Sequence, residues 1–145
     1  MTCPVHTALP AWDLLPDFGL YMDQLLLYTQ RCLPDDLTAS MINSYVKAGI
    51  IDRPLGKKYS RESLAQLLIV AVLKPVMPLD SLRQLLHPQN SEDTASLYTR
   101  FLTTYASISQ RMELSAEPTA LDLALEAACY QRLSLQHLAK EQETL

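Results

Sequence analysis

Four side chains in the middle of the chain, Ser40, Asn43, Ser44 and Lys47, recur at i, i+3, i+4 and i+7 within the stretch LTASMINSYVKAGII. On a helix this spacing places them on one stripe, opposite a face formed by Ile42, Tyr45 and Val46. Two hydroxyls, an amide and an ammonium side by side suit hydrogen bonding to an anionic, base-bearing surface. In a DNA major groove Asn43 can present its amide to a base edge, Lys47 can reach guanine or phosphate, and Ser40 and Ser44 suit backbone oxygens. Arg53, Lys57, Lys58 and Arg61 follow in a turn and at the start of the next helix, where they can hold flanking phosphates.

The charge along the chain supports that choice of region. Residues 1 to 36 hold five acids and one base, residues 37 to 74 six bases and two acids, and residues 75 to 145 nine acids and five bases. The segments therefore carry −4, +4 and −4, which add to the net charge of −4. A locally basic patch can meet a phosphate backbone even in an acidic protein.

Other chemistries find little material. His6, His87 and His137 are scattered, and no His or Cys pair has zinc-ligand spacing, so no metal is expected. With three glycines there is no phosphate-binding loop, no serine sits in a nucleophile elbow, and no cofactor is implied. Asp35–Asp36 and Glu92–Asp93 read as favourable charges near helix N-termini rather than as catalytic pairs. Cys129, between Ala128 and Tyr130 in an apolar helix, reads as a buried, inert thiol. The expectation is a protein that is not an enzyme.

Composition sets the frame for these residues. The 145 residues are 48% hydrophobic and 19% charged, as in chains that fold around a core. Cys3, Cys32 and Cys129 are odd in number and widely spaced, and the first residues lack signal-peptide character, so free thiols and a cytoplasmic location are expected. The longest apolar run, Leu67 to Leu73, is far shorter than the roughly 20 residues of a membrane span.

The stripe needs helices to hold it, and helical periodicity dominates the chain. The first helix should follow Pro16-Asp17, with Phe18, Tyr21, Leu25, Tyr28 and Cys32 along one face, and end before Pro34. A short helix runs from about Thr38 to Ala48, capped by Thr38 or Ser40 and stopped by Gly49. IIDRPLGKKYS then makes a turn or minimal hairpin around Pro54 and Gly56. A third helix, apolar almost all round and central to the core, runs from Ser60 until Pro75 halts it. LDSLRQLL forms a short helix ended by His87-Pro88. Tyr98, Phe101, Tyr105, Ile108 and Met112 mark another, and a last helix starts near Pro118. The expected fold is mainly α: a helix-turn-helix with a short wing-like turn, followed by a C-terminal helical hairpin. A boundary near Pro88-Gln89 gives two parts: residues 1–88, the helix-turn-helix with an N-terminal extension, and residues 89–145, a helical region that dimerises or packs on the first.

The string SMINSYVKAGII, a proline-containing turn, KKYSRESLAQLLIV and MPLDSLRQLL resemble the winged helix-turn-helix of MerR-type regulators. Tyr45, Gly49, Ile50, Lys57, Tyr59, Leu79 and Leu82 occupy the positions that mark that motif. The longer string from LPAWDLLPDFGLYMDQLLLY to DSLRQLL is similar to a bacterial family catalogued as domain of unknown function 1836, over roughly residues 9 to 110. The MerR resemblance implies DNA contacts at Asn43, Lys47, Lys57 and Lys58, with Tyr45 and Tyr59 as core or positioning residues. The chain departs from that pattern where Asn43 and Ser44 replace an arginine and an aromatic, and where the turn from Ile51 to Tyr59 is shorter than the usual wing.

Two readings follow. In the first, the chain is a transcriptional regulator that binds double-stranded DNA as a homodimer, with the effector open. In the second, it is a non-enzymatic interaction module that keeps a helix-turn-helix shape and grips a partner through Tyr98, Phe101, Tyr105 and Tyr130. They differ in whether the central cations stand free or are paired off by the acidic ends.

Overall fold

A computed structural model describes residues 9–33, 37–88, 92–113 and 119–143. Asp35–Asp36, Pro34, Gln89, Pro118, Cys3 and His6 lie outside the described residues. The described residues are mainly helical, in the order of a single 3-10 turn (Trp12–Leu14), α1 (Met22–Cys32), α2 (Ala39–Lys47), α3 (Arg61–Leu73), α4 (Leu79–Leu86), α5 (Thr94–Glu113) and α6 (Ala120–Glu143). Among them β structure is limited to two isolated antiparallel bridges, Leu20 with Tyr59 and Leu55 with Lys58. No helix among the described residues is long and apolar enough to cross a membrane.

α3 is the centre of the core. Ser60 caps it, its hydroxyl accepting from the Ser63 N–H at 3.2 Å, and every residue from Ser63 to Ala71 is buried. A helix that is apolar all round has to be enclosed on all sides. α1, α4 and α5 supply that enclosure. The two polar residues on its buried surface have partners: the Ser63 hydroxyl donates to the Asp52 carbonyl at 2.9 Å, and Gln66 Oε1 accepts from the Asp52 N–H at 2.8 Å. Both bonds fasten the segment after α2 to α3, because burying either group without a partner would cost about 1–3 kcal/mol.

α1 starts later than periodicity suggests. Phe18 is 72% exposed, and Tyr21 is the residue before the first turn. Leu20 instead pairs with Tyr59, each N–H donating to the other's carbonyl at 3.0 and 2.7 Å. Gly19 makes the bend with φ +84°, where an added Cβ would stand 3.1 Å from the Lys58 side chain. The three-four spacing thus continues through residues that a bridge from far along the chain draws out of the helix. Within α1, Leu25 and Thr29 are buried.

α5 carries a row of aromatic contacts. Tyr98 lies 6.2 Å from Trp12 and from Phe101, which stacks on Tyr105 at 5.6 Å. Tyr98 is fully buried, and its hydroxyl donates to the Pro10 carbonyl at 2.7 Å, which ties the N-terminal segment to α5. Burial pushes the Tyr98 phenol well above the ordinary tyrosine range, with Cys32 and Tyr28 adding to the shift. The folded protein therefore holds this proton more tightly than the unfolded chain, whose tyrosines titrate near 10. Its contribution to stability is complete below about pH 10 and falls as pH rises beyond that value. In urea melts Tyr98→Phe is expected to lower stability by about 1 kcal/mol at neutral pH and to flatten the loss between about pH 10 and 12.

The last two helices are anchored separately. α5 packs chiefly on α3, whereas α6 packs on α4, with Gln131 Nε2 donating to the Val76 carbonyl in the preceding turn at 2.9 Å and Leu138 buried. The expectation of a buried Cys129 is wrong: the thiol is exposed, on a stretch of α6 where every residue from Leu123 to Tyr130 is exposed. Tyr130 itself is 68% exposed.

Candidate nucleic-acid interface

α2 forms as its sequence directs. The Thr38 hydroxyl accepts from the Met41 N–H at 3.2 Å, and Gly49 follows the last turn with φ +76°. Ile42 and Tyr45 are buried, which leaves Ser40, Asn43, Ser44 and Lys47 exposed together on the outer stripe. Ser44 is partly committed, because its hydroxyl donates to the Ser40 carbonyl at 3.1 Å and keeps only its lone pairs for a ligand. A nine-residue helix is marginal alone and has to be held by its neighbours.

α4 supplies part of that hold. Arg83 Nη1 donates to the Ala48 carbonyl at 3.1 Å while Nη2 pairs with Asp80 at 2.6 Å, and His87 Nε2 lies 2.9 Å from the Ile50 carbonyl. A guanidinium at a helix C-terminus satisfies a free carbonyl and opposes the negative end of the helix dipole. Sequence reasoning missed both clamps, which join residues 35 and 37 positions apart.

The turn after α2 is a tight hairpin. Leu55 and Lys58 exchange N–H to carbonyl bonds of 3.0 Å, and the two residues between them have positive φ, 57° at Gly56 and 67° at Lys57. Positive φ at both central positions is the mark of the type I′ turn, whose twist suits a hairpin. Arg53, Lys57 and Lys58 are all exposed on this loop. Lys58 Nζ lies 5.4 Å over the ring of Tyr21, so part of its charge faces the start of α1.

Arg61 is placed differently from its companions. Its guanidinium sits 5.4 Å over the Trp12 ring and pairs with Asp17 at 3.2 Å, its side chain is 21% exposed, and its Nε is buried without a hydrogen bond. One cation of the central segment is thus drawn onto the N-terminal segment by an acid. Lys47, Arg53 and Lys57 have no ion-pair partner among the described residues. Tyr45 and Tyr59 are buried and hold the helix and the turn from beneath.

No group of three or more His, Cys, Asp or Glu that could hold a metal ion occurs among the described residues. Glu92 and Asp93 serve α5: Asp93 accepts from the Ser96 N–H at 2.8 Å, which lowers its carboxyl, and Glu92 binds Arg100 at 2.7 Å. Residues 10–108 match the model of a family described as Domain of unknown function (DUF1836). No curated protein and no solved structure matches the chain.

Proposed function

The chain belongs to the DUF1836 family, and on that premise we propose that it is a DNA-binding transcriptional regulator with a MerR-like winged helix-turn-helix. In this reading α2 enters the major groove, Asn43 faces a base edge, and Lys47 reaches guanine or phosphate. The hairpin at Gly56–Lys57 is a short wing whose Arg53, Lys57 and Lys58 meet the flanking backbone. Arg61 serves the fold through Trp12 and Asp17 and makes at most a peripheral contact. The protein performs no catalytic step.

The observation that carries the reading is the freedom of Lys47, Arg53 and Lys57, exposed and without ion-pair partners among the described residues. Phosphate contacts supply most of the affinity of such an interface, so unpaired cations are what it requires.

The test is selection from random duplex DNA at low and moderate salt. Enrichment of a recurring palindrome, with half-sites about 34 Å apart, is expected for a symmetric regulator. Absence of retention at low salt would overturn the reading. It would favour the interaction module, which the exposed Tyr130 and leucines of α6 support, whereas Tyr98, Phe101 and Tyr105 are taken up in the aromatic row of α5.

A further inference from the structure

A groove of about 570 Å³ opens between the start of α1 and the hairpin. Met22 and Leu26 of α1 and Pro54 of the hairpin, all half-buried, give it an apolar wall. Two exposed and opposite charges, Asp23 and Lys57, line the same groove. They do not pair with each other, and neither has an ion-pair partner elsewhere among the described residues. Tyr59, only 5% exposed, completes the lining. Its hydroxyl has no hydrogen-bond partner among the described residues, although a polar group on so buried a side chain ordinarily finds one. Nor is that hydroxyl sealed off: Arg61 Nε is the only sealed side-chain polar atom without a partner among the described residues. The phenol therefore meets solvent where Tyr59 lines the groove. Burial raises its pKa, which keeps it a hydrogen-bond donor at neutral pH.

We propose that this groove binds an apolar amino acid, its carboxylate held by Lys57 and the Tyr59 hydroxyl, its ammonium by Asp23, and its side chain by Met22, Leu26 and Pro54. A largely apolar wall with a few polar groups that fix orientation is the usual make-up of a small-molecule site, and the volume falls within the roughly 300–1,000 Å³ of such sites. The charges select the class of ligand. A plain carboxylic acid would be repelled by Asp23 and a plain amine by Lys57, whereas a molecule carrying both charges is attracted by both. The Tyr59 hydroxyl adds a bond to a charged acceptor, which is stronger than one between neutral groups. The inference does not rest on the DNA reading, although it shares Lys57 with it.

Calorimetric titration of the full chain, without DNA, with L-phenylalanine, L-leucine and L-methionine should show binding of at least one, with a Kd of about 0.1 mM. Its analogues lacking the amino or the carboxyl group, which for phenylalanine are 3-phenylpropanoate and 2-phenylethylamine, should each bind about tenfold more weakly. Lys57→Gln and Tyr59→Phe should each weaken the amino acid about tenfold without weakening the analogue that lacks the carboxyl group. Asp23→Asn should weaken it about tenfold without weakening the analogue that lacks the amino group. A merely structural role for these side chains would not give so selective a response, and circular dichroism checks that each variant is folded. Absence of binding by all three amino acids up to about 10 mM, a hundred times the expected Kd, would overturn the proposal. So would equal binding of either analogue, or indifference of the amino acid to Lys57→Gln and Asp23→Asn.

Discussion

Replacing Lys47 and Lys57 together by alanine is expected to weaken binding to duplex DNA about a hundredfold at low salt and to flatten its salt dependence. Each lysine that contacts a phosphate releases about 0.9 of a counterion, so the slope of log affinity against log salt should shrink by about 1.8. Lys47 is the last residue of α2, and Lys57 is at the turn, so the pair samples the helix and the wing together. Both are exposed, and changes at such positions normally alter stability by no more than about 0.5 kcal/mol. The loss would therefore belong to binding and not to unfolding, which circular dichroism of the variant checks. Unchanged affinity and slope would remove both residues from the interface and leave the proposed orientation of α2 without support.

The second large effect concerns the body that carries α2. Leu67→Ala is expected to cost about 2–5 kcal/mol, the range for emptying a leucine site in a close-packed interior. Leu67 is fully buried on α3, which α1, α4 and α5 enclose. Since a domain of this size is typically stable by only about 5–15 kcal/mol, the melting temperature should fall by roughly 10 °C. Leu125→Ala, at an exposed position of α6, should leave the thermal midpoint within about 2 °C of the parent. Similar midpoints for the two variants would mean that α3 is not the centre of the core.

The parts of this architecture that sequence reveals are those specified by neighbours along the chain. Thr38 and Ser60 cap the helices they precede, Gly49 and Pro75 follow their ends, and the unbroken apolar pattern of α3 marks a helix enclosed on all sides. The start of α1 departs from the periodicity because Tyr59 holds Leu20 in a bridge, and no local pattern announces a pairing between residues so far apart. The contacts of Arg83 and His87 have no local signal for the same reason, although each closes the C-terminal end of α2. Gln66 offered a weak sign, as a lone amide in a run of apolar residues implies a buried partner, here the Asp52 N–H. Cys129 departs from its expectation because an apolar pattern tells which residues disfavour water and not whether another element is placed over them. Of the candidate contacts, the α2 stripe was legible from its spacing alone, whereas the diversion of Arg61 to Asp17 and Trp12 depends on a segment some forty positions earlier.

The backbone at Lys57 has a consequence for how this turn can change. At φ 67° a side chain with a Cβ is disfavoured by about 1 kcal/mol relative to glycine, and asparagine tolerates the conformation better than lysine. The tightest bend in the loop is thus occupied by a residue poorly matched to it. Stability and charge pull in opposite directions at this position, so a search for thermostable variants would favour glycine or asparagine there and would strip the tip of its cation in doing so.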